Sequence, residues 1–234
     1  MKADVLGDGF GIFLDNRRLV TPAKNPLILP SLNAAQLIAS EWENQGDNID
    51  TDTMPITRLV NVAIDRAHLT RNELVAEIQK YASSDLCCYR TSAPQILYES
   101  QCKIWDEQIK WVKDRFDVEF IAKSDSLGLF QTDITIKKIG EISQKYDDIR
   151  LTILAFVTAL AGSAILGLKL VEKAASPEEI FKAKLITRHP NKKVLIHQIE
   201  DNALIEGNIS NFIFSTKANK VSDLNNFKFS VIDI

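Results

Sequence analysis

The sequence contains few of the residues that build disulfide frameworks. Its 234 residues include only three cysteines. Two of them, Cys87 and Cys88, are adjacent in the chain and poorly placed to bridge each other, and an odd count leaves one thiol over. This cysteine usage predicts a reducing compartment, which is the cytoplasm or the matrix of an organelle.

The residue patterns of metal and catalytic sites are also missing. The three histidines, His68, His189 and His197, have no HExxH spacing, and Cys102 belongs to no CxxC pair. Zinc ligation and thioredoxin chemistry both need such spacings. The acidic pairs on turns and helix starts are explained by capping. We therefore expect no catalytic residue, no metal and no cofactor.

One glycine-rich segment resembles a phosphate-binding loop only superficially. Gly7, Gly9 and Gly11 lack the third glycine of GxGxxG, and an extended run follows them instead of a helix. A hairpin turn or a bulge explains them better.

The charge balance argues against a nucleic-acid ligand. Lys and Arg number 28 against 31 Asp and Glu, a net charge of -3. The basic residues form only short pairs, such as Arg17-Arg18 and Lys137-Lys138, and an acidic chain would need a basic stripe to follow phosphates.

One uncharged stretch, residues 151–168, is just long enough to suggest a membrane span. Gly162 and Gly167 would weaken a continuous helix there, so we expect a buried core helix or two short helices meeting near Gly162, and no stable membrane insertion. The first residues also show no apolar segment of the kind found in secretory signals.

The order of patterns predicts an α+β fold. Short runs bounded by Gly, Pro and Asn fill residues 1–30 and predict a small β-rich module. Apolar residues at helical spacing follow and predict an α-helical domain over residues 31–180, with a divergent tail at 181–234. The predicted helices start at Ser31, Met54, Thr70 (with Glu73 as a capping box), Pro94, Asp133, Asp147, Ser163 and Ser176.

Three segments in a fixed order carry a resemblance to a known family. They are residues 14–27, which contain TPAKNPL and are followed by Glu41-Trp42, residues 54–66, and residues 84–90. Together they resemble the assembly chaperones that escort the alpha subunit of F-type ATP synthase, and the resemblance extends from about Gly9 to Ala175. Beyond it, this chain lacks the acidic helix with a Gln-x-Glu-x-Trp-Gly-like run that family members usually carry.

The resemblance implies a small β domain followed by a helical domain, no catalysis, and binding of free alpha subunit until beta replaces the chaperone. We expect a monomer, because self-association would compete with the client. The matching positions that are candidates for partner contact are Thr21, Pro22, Ala23, Lys24, Trp42, Arg58, Asp85, Tyr89 and Arg90.

Several of these positions leave alternatives open. Pro22 is equally compatible with a sheet corner, Trp42 with a core position, and Asp85 with an internal pair to Arg90. Arg58 shares a polar helix face with Asn61 and Asp65, which favours either a buried network or a partner surface. A different class of function is a small-molecule enzyme with its site where the β module meets the helices, using Cys102 or His68.

Overall fold

The computed structural model describes residues 2–7, 9–124 and 130–186. The strands are β1 Lys2–Leu6, β2 Gly9–Leu14, β3 Arg17–Arg18, β4 Ile28–Leu29, β5 Tyr89–Arg90 and β6 Lys123–Ser124. The helices are α1 Leu32–Glu43, α2 Pro55–Asp65, α3 Ala67–Ser83, α4 Gln95–Phe116, α5 Asp133–Ser143, α6 Asp148–Ala161, α7 Ala164–Val171 and α8 Pro177–Leu185. The predicted α+β class is confirmed.

The described residues form two compact units that divide after Asp65. The N-terminal unit contains β1 to β4 together with α1 and α2, and the C-terminal unit begins at Arg66. The division falls after α2 and not near residue 30, because α1 packs on the strands that precede it and α2 packs on α1.

The N-terminal sheet is built around β2, which pairs antiparallel with β1, β3 and β4. Asp15 and Asn16 join β2 to β3 with φ angles of 47° and 64°, the left-handed pair that a tight hairpin needs. Gly9 lets β4 approach closely, since a Cβ there would lie 2.7 Å from the Leu29 carbonyl oxygen. The glycine-rich segment is thus part of a hairpin, as predicted.

Helix α1 lies on this sheet and also caps the next helix. The Ser31 hydroxyl accepts from the Ala34 N–H at 3.2 Å, which confirms the predicted N-cap. The buried Glu41 carboxylate accepts from the backbone N–H groups of Ile56 and Thr57, both at 2.8 Å, and from the Thr57 hydroxyl at 2.6 Å. One side chain of α1 therefore satisfies the orphan donors at the start of α2.

The C-terminal unit has α3, α6 and α7 at its core. Among its largest fully buried side chains are Ile78, Leu151, Leu154, Ile165 and Leu166. Helix α6 ends at Gly162, whose φ of 69° turns the chain, and Ser163 caps α7 by accepting from the Leu166 N–H. The uncharged stretch therefore forms two short buried helices, as predicted. Within residues 2–7, 9–124 and 130–186, every helix is too short or too polar to cross a membrane.

One capping box was predicted, at Thr70 and Glu73, and it is not formed. Helix α3 begins at Ala67 and is kinked at Thr70, whose φ of -115° and ψ of 21° are not helical, but the Thr70 hydroxyl donates to the Arg66 carbonyl oxygen at 3.2 Å instead of accepting from Glu73. The predicted helix start at Ser176 is confirmed, and the structure adds a capping box there: the Ser176 hydroxyl accepts from the Glu179 N–H, and the Glu179 carboxylate accepts from the Ser176 N–H.

The end of α8 is the last part of the chain that the structure describes. The Trp105 indole N–H donates to the Ala183 carbonyl oxygen at 2.8 Å and ties α8 to α4. The predicted tail begins within this helix, at residue 181, and from residue 187 onward it lies outside the described residues.

We expect Gly167→Ala to lower the free energy of unfolding by about 1–3 kcal/mol, the usual effect of overpacking a core. A Cβ at Gly167 would lie 2.4 Å from the hydroxyl oxygen of buried Thr158. Urea denaturation measures the change. Gly46→Ala is the matched control, because a Cβ there meets no atom within 4 Å. Equal stabilities of the two variants would contradict this account of the α6–α7 contact.

Candidate functional site

The sequence-predicted segment 21–25 forms a tight loop, called here the anchored loop. The Thr21 N–H donates to the Asn25 carbonyl oxygen at 3.0 Å, and the Lys24 N–H donates to the Thr21 carbonyl oxygen at 2.8 Å. The Thr21 hydroxyl accepts from the Asn25 N–H at 3.1 Å. Lys24 has a φ of 66°, in the left-handed region that non-glycine residues rarely adopt. These bonds close the loop on itself.

Asp65, the last residue of α2, holds the anchored loop against that helix. Its Oδ1 accepts from the Thr21 hydroxyl at 2.5 Å and from the Asn25 side-chain amide at 2.9 Å, while its Oδ2 accepts from the Ala23 N–H at 3.1 Å. Hydrogen bonds to a charged acceptor are stronger than neutral ones. The sequence placed Asp65 on a polar helix face but did not include it among the site residues.

The anchored loop separates one buried residue from three exposed ones. Thr21 is only 2% exposed, because its hydroxyl faces Asp65. Pro22, Ala23 and Lys24 are exposed. The loop thus presents a proline ring, a methyl group and an ammonium group in a fixed arrangement. Such a surface suits contact with another protein more than chemistry on a small molecule.

Trp42 and Arg58 belong to the same N-terminal unit. Trp42 lies half-buried on α1, and its buried indole N–H has no hydrogen-bond partner in the part of the chain that the structure describes. Arg58 on α2 is half-exposed and pairs with Asp52 at 3.2 Å. Asn61, one turn further along α2, has a buried side-chain oxygen that also lacks a partner among the described residues.

Asp85 lies inside the C-terminal unit and is 0% exposed. Its Oδ1 accepts from the Ser163 hydroxyl at 2.6 Å and the Cys87 N–H at 3.0 Å, and its Oδ2 accepts from the Ile165 N–H at 3.1 Å. Burial raises the pKa of Asp85 to about 6, and these hydrogen bonds oppose the shift. Asp85 therefore joins the segment after α3 to the start of α7.

Arg90 has partners other than Asp85. Its guanidinium group is buried, donates to the Cys87 carbonyl oxygen at 2.6 Å and to the Asp106 carboxylate at 2.5 Å, and lies 5.2 Å from the centre of the Trp105 ring. The internal Asp85–Arg90 pair considered from the sequence is not formed. Tyr89 is half-buried beside Arg90 in β5, which pairs in parallel with β6.

The two residues suggested for an enzyme lie on different helices, with Cys102 half-buried on α4 and His68 exposed on α3. The Asp85 carboxylate already accepts hydrogen bonds from the Ser163 hydroxyl and from backbone N–H groups, whereas His68 is exposed in the first turn of α3. Burial, followed by the charge of Asp85, raises the pKa of both Cys87 and Cys88, so these thiols stay protonated. In the described residues, no group of three or more His, Cys, Asp or Glu side chains is arranged to hold a metal ion.

Comparisons with known proteins agree on one family. A family model described as ATP12 chaperone protein matches residues 1–113. Atu1473 from Agrobacterium tumefaciens, described as a candidate chaperone, is 31% identical over 92% of this chain and 83% of its own, with a TM-score of 0.76. Atp12 from Paracoccus denitrificans is 26% identical over 92% of this chain and 95% of its own, with a TM-score of 0.78.

We expect the stability contributed by Asp85 to increase as the pH falls. Because the pKa of Asp85 is about 6 in the folded state, against an ordinary 3.8, the folded chain holds this proton more tightly than the unfolded chain. The contribution is complete below pH about 4 and is lost as the pH rises through 6. A shift of this size corresponds to about 3 kcal/mol.

The measurement is the difference in the free energy of unfolding between the wild type and Asp85→Asn, followed by urea denaturation from pH 4 to pH 7. Taking the difference removes the titration of all other groups. Asp47→Asn, at an exposed position, is the control and should leave the pH profile unchanged. A difference that stays constant across this range would contradict the assigned pKa.

Proposed function

This chain belongs to the ATP12 chaperone family, and we propose that it takes part in F-type ATP synthase assembly by binding the free alpha subunit. In this role it covers the surface through which alpha later meets beta. The observation that carries the proposal is the anchored loop, which presents three exposed residues and is hydrogen-bonded to Asp65 through Thr21, Ala23 and Asn25. Membership of a chaperone family implies a role other than catalysis.

The mechanism is differential burial. An isolated subunit exposes an apolar patch that would otherwise be buried between subunits, and such patches drive aggregation. The chaperone removes that patch from water while the subunit waits for its partner. Obligate interfaces between subunits are large and apolar, so a smaller contact with the chaperone is displaced when beta binds.

The nine candidate residues divide into three groups by exposure. Pro22, Ala23 and Lys24 are exposed, and Arg58 is half-exposed, so these side chains can touch a client directly. Trp42 and Tyr89 are half-buried and offer a smaller contact area.

The remaining three candidates act from inside the protein. Thr21, Asp85 and Arg90 are 2%, 0% and 6% exposed, and each accepts or donates hydrogen bonds to nearby backbone. We assign them to holding the contact segments in place and not to contact with the client.

The proposal extends to the state and place in which the protein works. We propose that the chaperone acts as a monomer, since a self-associated form would hide the surface meant for the client. Light scattering at micromolar concentration measures this. In this proposal the chaperone binds the alpha subunit before assembly, so it works in the bacterial cytoplasm or in the mitochondrial matrix.

The direct test is to follow aggregation of purified alpha subunit by light scattering, with and without equimolar chaperone. We expect the chaperone to suppress scattering and later addition of beta subunit to release it. The P. denitrificans Atp12 run in parallel serves as the positive control. Failure of this chain to bind or protect alpha, while the control succeeds, would overturn the proposal.

Charge reversal at Lys24 is expected to weaken alpha binding by about tenfold or more, because an exposed ammonium at the centre of a contact becomes a repelling carboxylate. Calorimetry or interferometry measures the dissociation constant. Lys24→Glu should leave the free energy of unfolding within about 0.5 kcal/mol of the wild type, since the side chain is exposed. Lys103→Glu on α4 makes the same charge change at another exposed position and is expected to bind normally.

A further inference from the structure

We propose that Asp65 is a positioning residue for client recognition: its carboxylate fixes the anchored loop in the shape that docks on an apolar protein surface bearing a carboxylate. This inference rests on the proposed function and deepens it. Asp65 itself makes no contact with the client in this account, and it acts only through residues 21–25.

Three hydrogen bonds given by the described residues join the loop to α2, and all three end on this side chain. Thr21, Ala23 and Asn25 all donate to the Asp65 carboxylate, across 40 to 44 residues of sequence. The other hydrogen bonds of the loop described above are local, between Thr21 and Asn25 or between Thr21 and Lys24. Local bonds set the curvature of a turn, but a tertiary bond is needed to set its position on the unit.

The backbone conformation of the loop requires such a tertiary bond. Lys24 lies in the left-handed region with φ of 66°, which costs free energy for a residue with a side chain. A strained conformation persists only where the surroundings impose it. If the loop were free, binding would have to order its residues, and the conformational entropy lost would lower the affinity. A loop that is already ordered avoids this loss.

The chemistry of the exposed face defines the partner. Pro22 and Ala23 present apolar surface next to the Lys24 ammonium, and Lys24 forms no salt bridge within the residues that the structure describes. A complementary surface has an apolar area for the proline ring and a carboxylate within reach of the ammonium group. The client surface is therefore expected to be apolar with an acidic residue at its edge, and not basic.

Asp65→Asn is the most selective change, because it keeps the shape of the side chain. The amide oxygen can still accept from Thr21 and Asn25, but the amide NH₂ then faces the Ala23 N–H, so two donors meet. Thr21→Val is the second variant and removes two hydrogen bonds with little change in volume: the one that the hydroxyl donates to Asp65 and the one that it accepts from the Asn25 N–H. Asp47→Asn, at an exposed position of the same unit, controls for the change in net charge.

The experiment combines three measurements on the full chain: the dissociation constant for alpha subunit, amide hydrogen exchange at Ala23 and Lys24, and the free energy of unfolding. We expect Asp65→Asn and Thr21→Val to weaken binding by about tenfold and to speed exchange at these amides, while Asp47→Asn does neither. Thermal unfolding verifies that each variant is folded at the temperature used for binding.

A double-mutant cycle separates positioning from a merely structural role. If Asp65 acts through Lys24, then Asp65→Asn should cost little further affinity in a Lys24→Ala background, so the two effects are non-additive. Additive effects, or weaker binding without faster loop exchange, would overturn the inference. So would wild-type affinity in a folded Asp65→Asn variant.

Failure of this inference is distinguishable from failure of the proposed function. If the wild type binds alpha and Asp65→Asn binds equally well, only the role of Asp65 is lost. If the wild type does not bind alpha at all, the proposed function is lost and the inference falls with it.

Discussion

Side-chain carboxylates that accept backbone hydrogen bonds hold this protein together. Glu41 binds the first N–H groups of α2, Asp65 binds an N–H group of the anchored loop, and Asp85 binds N–H groups at the start of α7. Each of them joins segments that are distant in sequence. Helix starts leave several N–H groups without partners, and a carboxylate suits them because it accepts several bonds and carries the favourable charge.

This device has a cost that shows in the two most deeply buried carboxylates. Burial raises the pKa of Glu41 and of Asp85 to about 6 each, although hydrogen bonds to both groups act in the opposite direction. The free-energy cost of desolvating the charged carboxylate is therefore larger than the stabilisation from its hydrogen bonds near neutral pH. What these groups contribute is geometric definition: a neutral apolar side chain at either place would leave buried N–H groups unsatisfied.

Asp65 uses the same chemistry at the surface of the N-terminal unit, where we propose that it serves client recognition. The anchored loop joins two elements of a small sheet and would ordinarily be the most mobile part of such a unit. Because its inner side is bonded to α2, its outer side is presented in one conformation. A protein that must bind a client firmly and then release it benefits, since a preordered contact can be small and still specific.

The sequence alone was sufficient for the parts of the fold that depend on local chemistry. Ser31 and Ser176 marked helix starts, and Gly162 marked the break between α6 and α7, because caps and turns are decided by neighbouring residues. The prediction at Thr70 was wrong for the same reason. Its local pattern was that of a cap, but α3 starts earlier, and the Thr70 hydroxyl donates backwards to the Arg66 carbonyl oxygen. The three ordered motifs also identified the family and pointed to residues 21–24.

The tertiary structure decided which of those residues face inward, that Asp85 and Arg90 take separate partners, and that Asp65 anchors a loop more than 40 residues away in the chain. Those outcomes depend on contacts between segments remote in sequence, and no local pattern encodes which carboxylate will meet which N–H group.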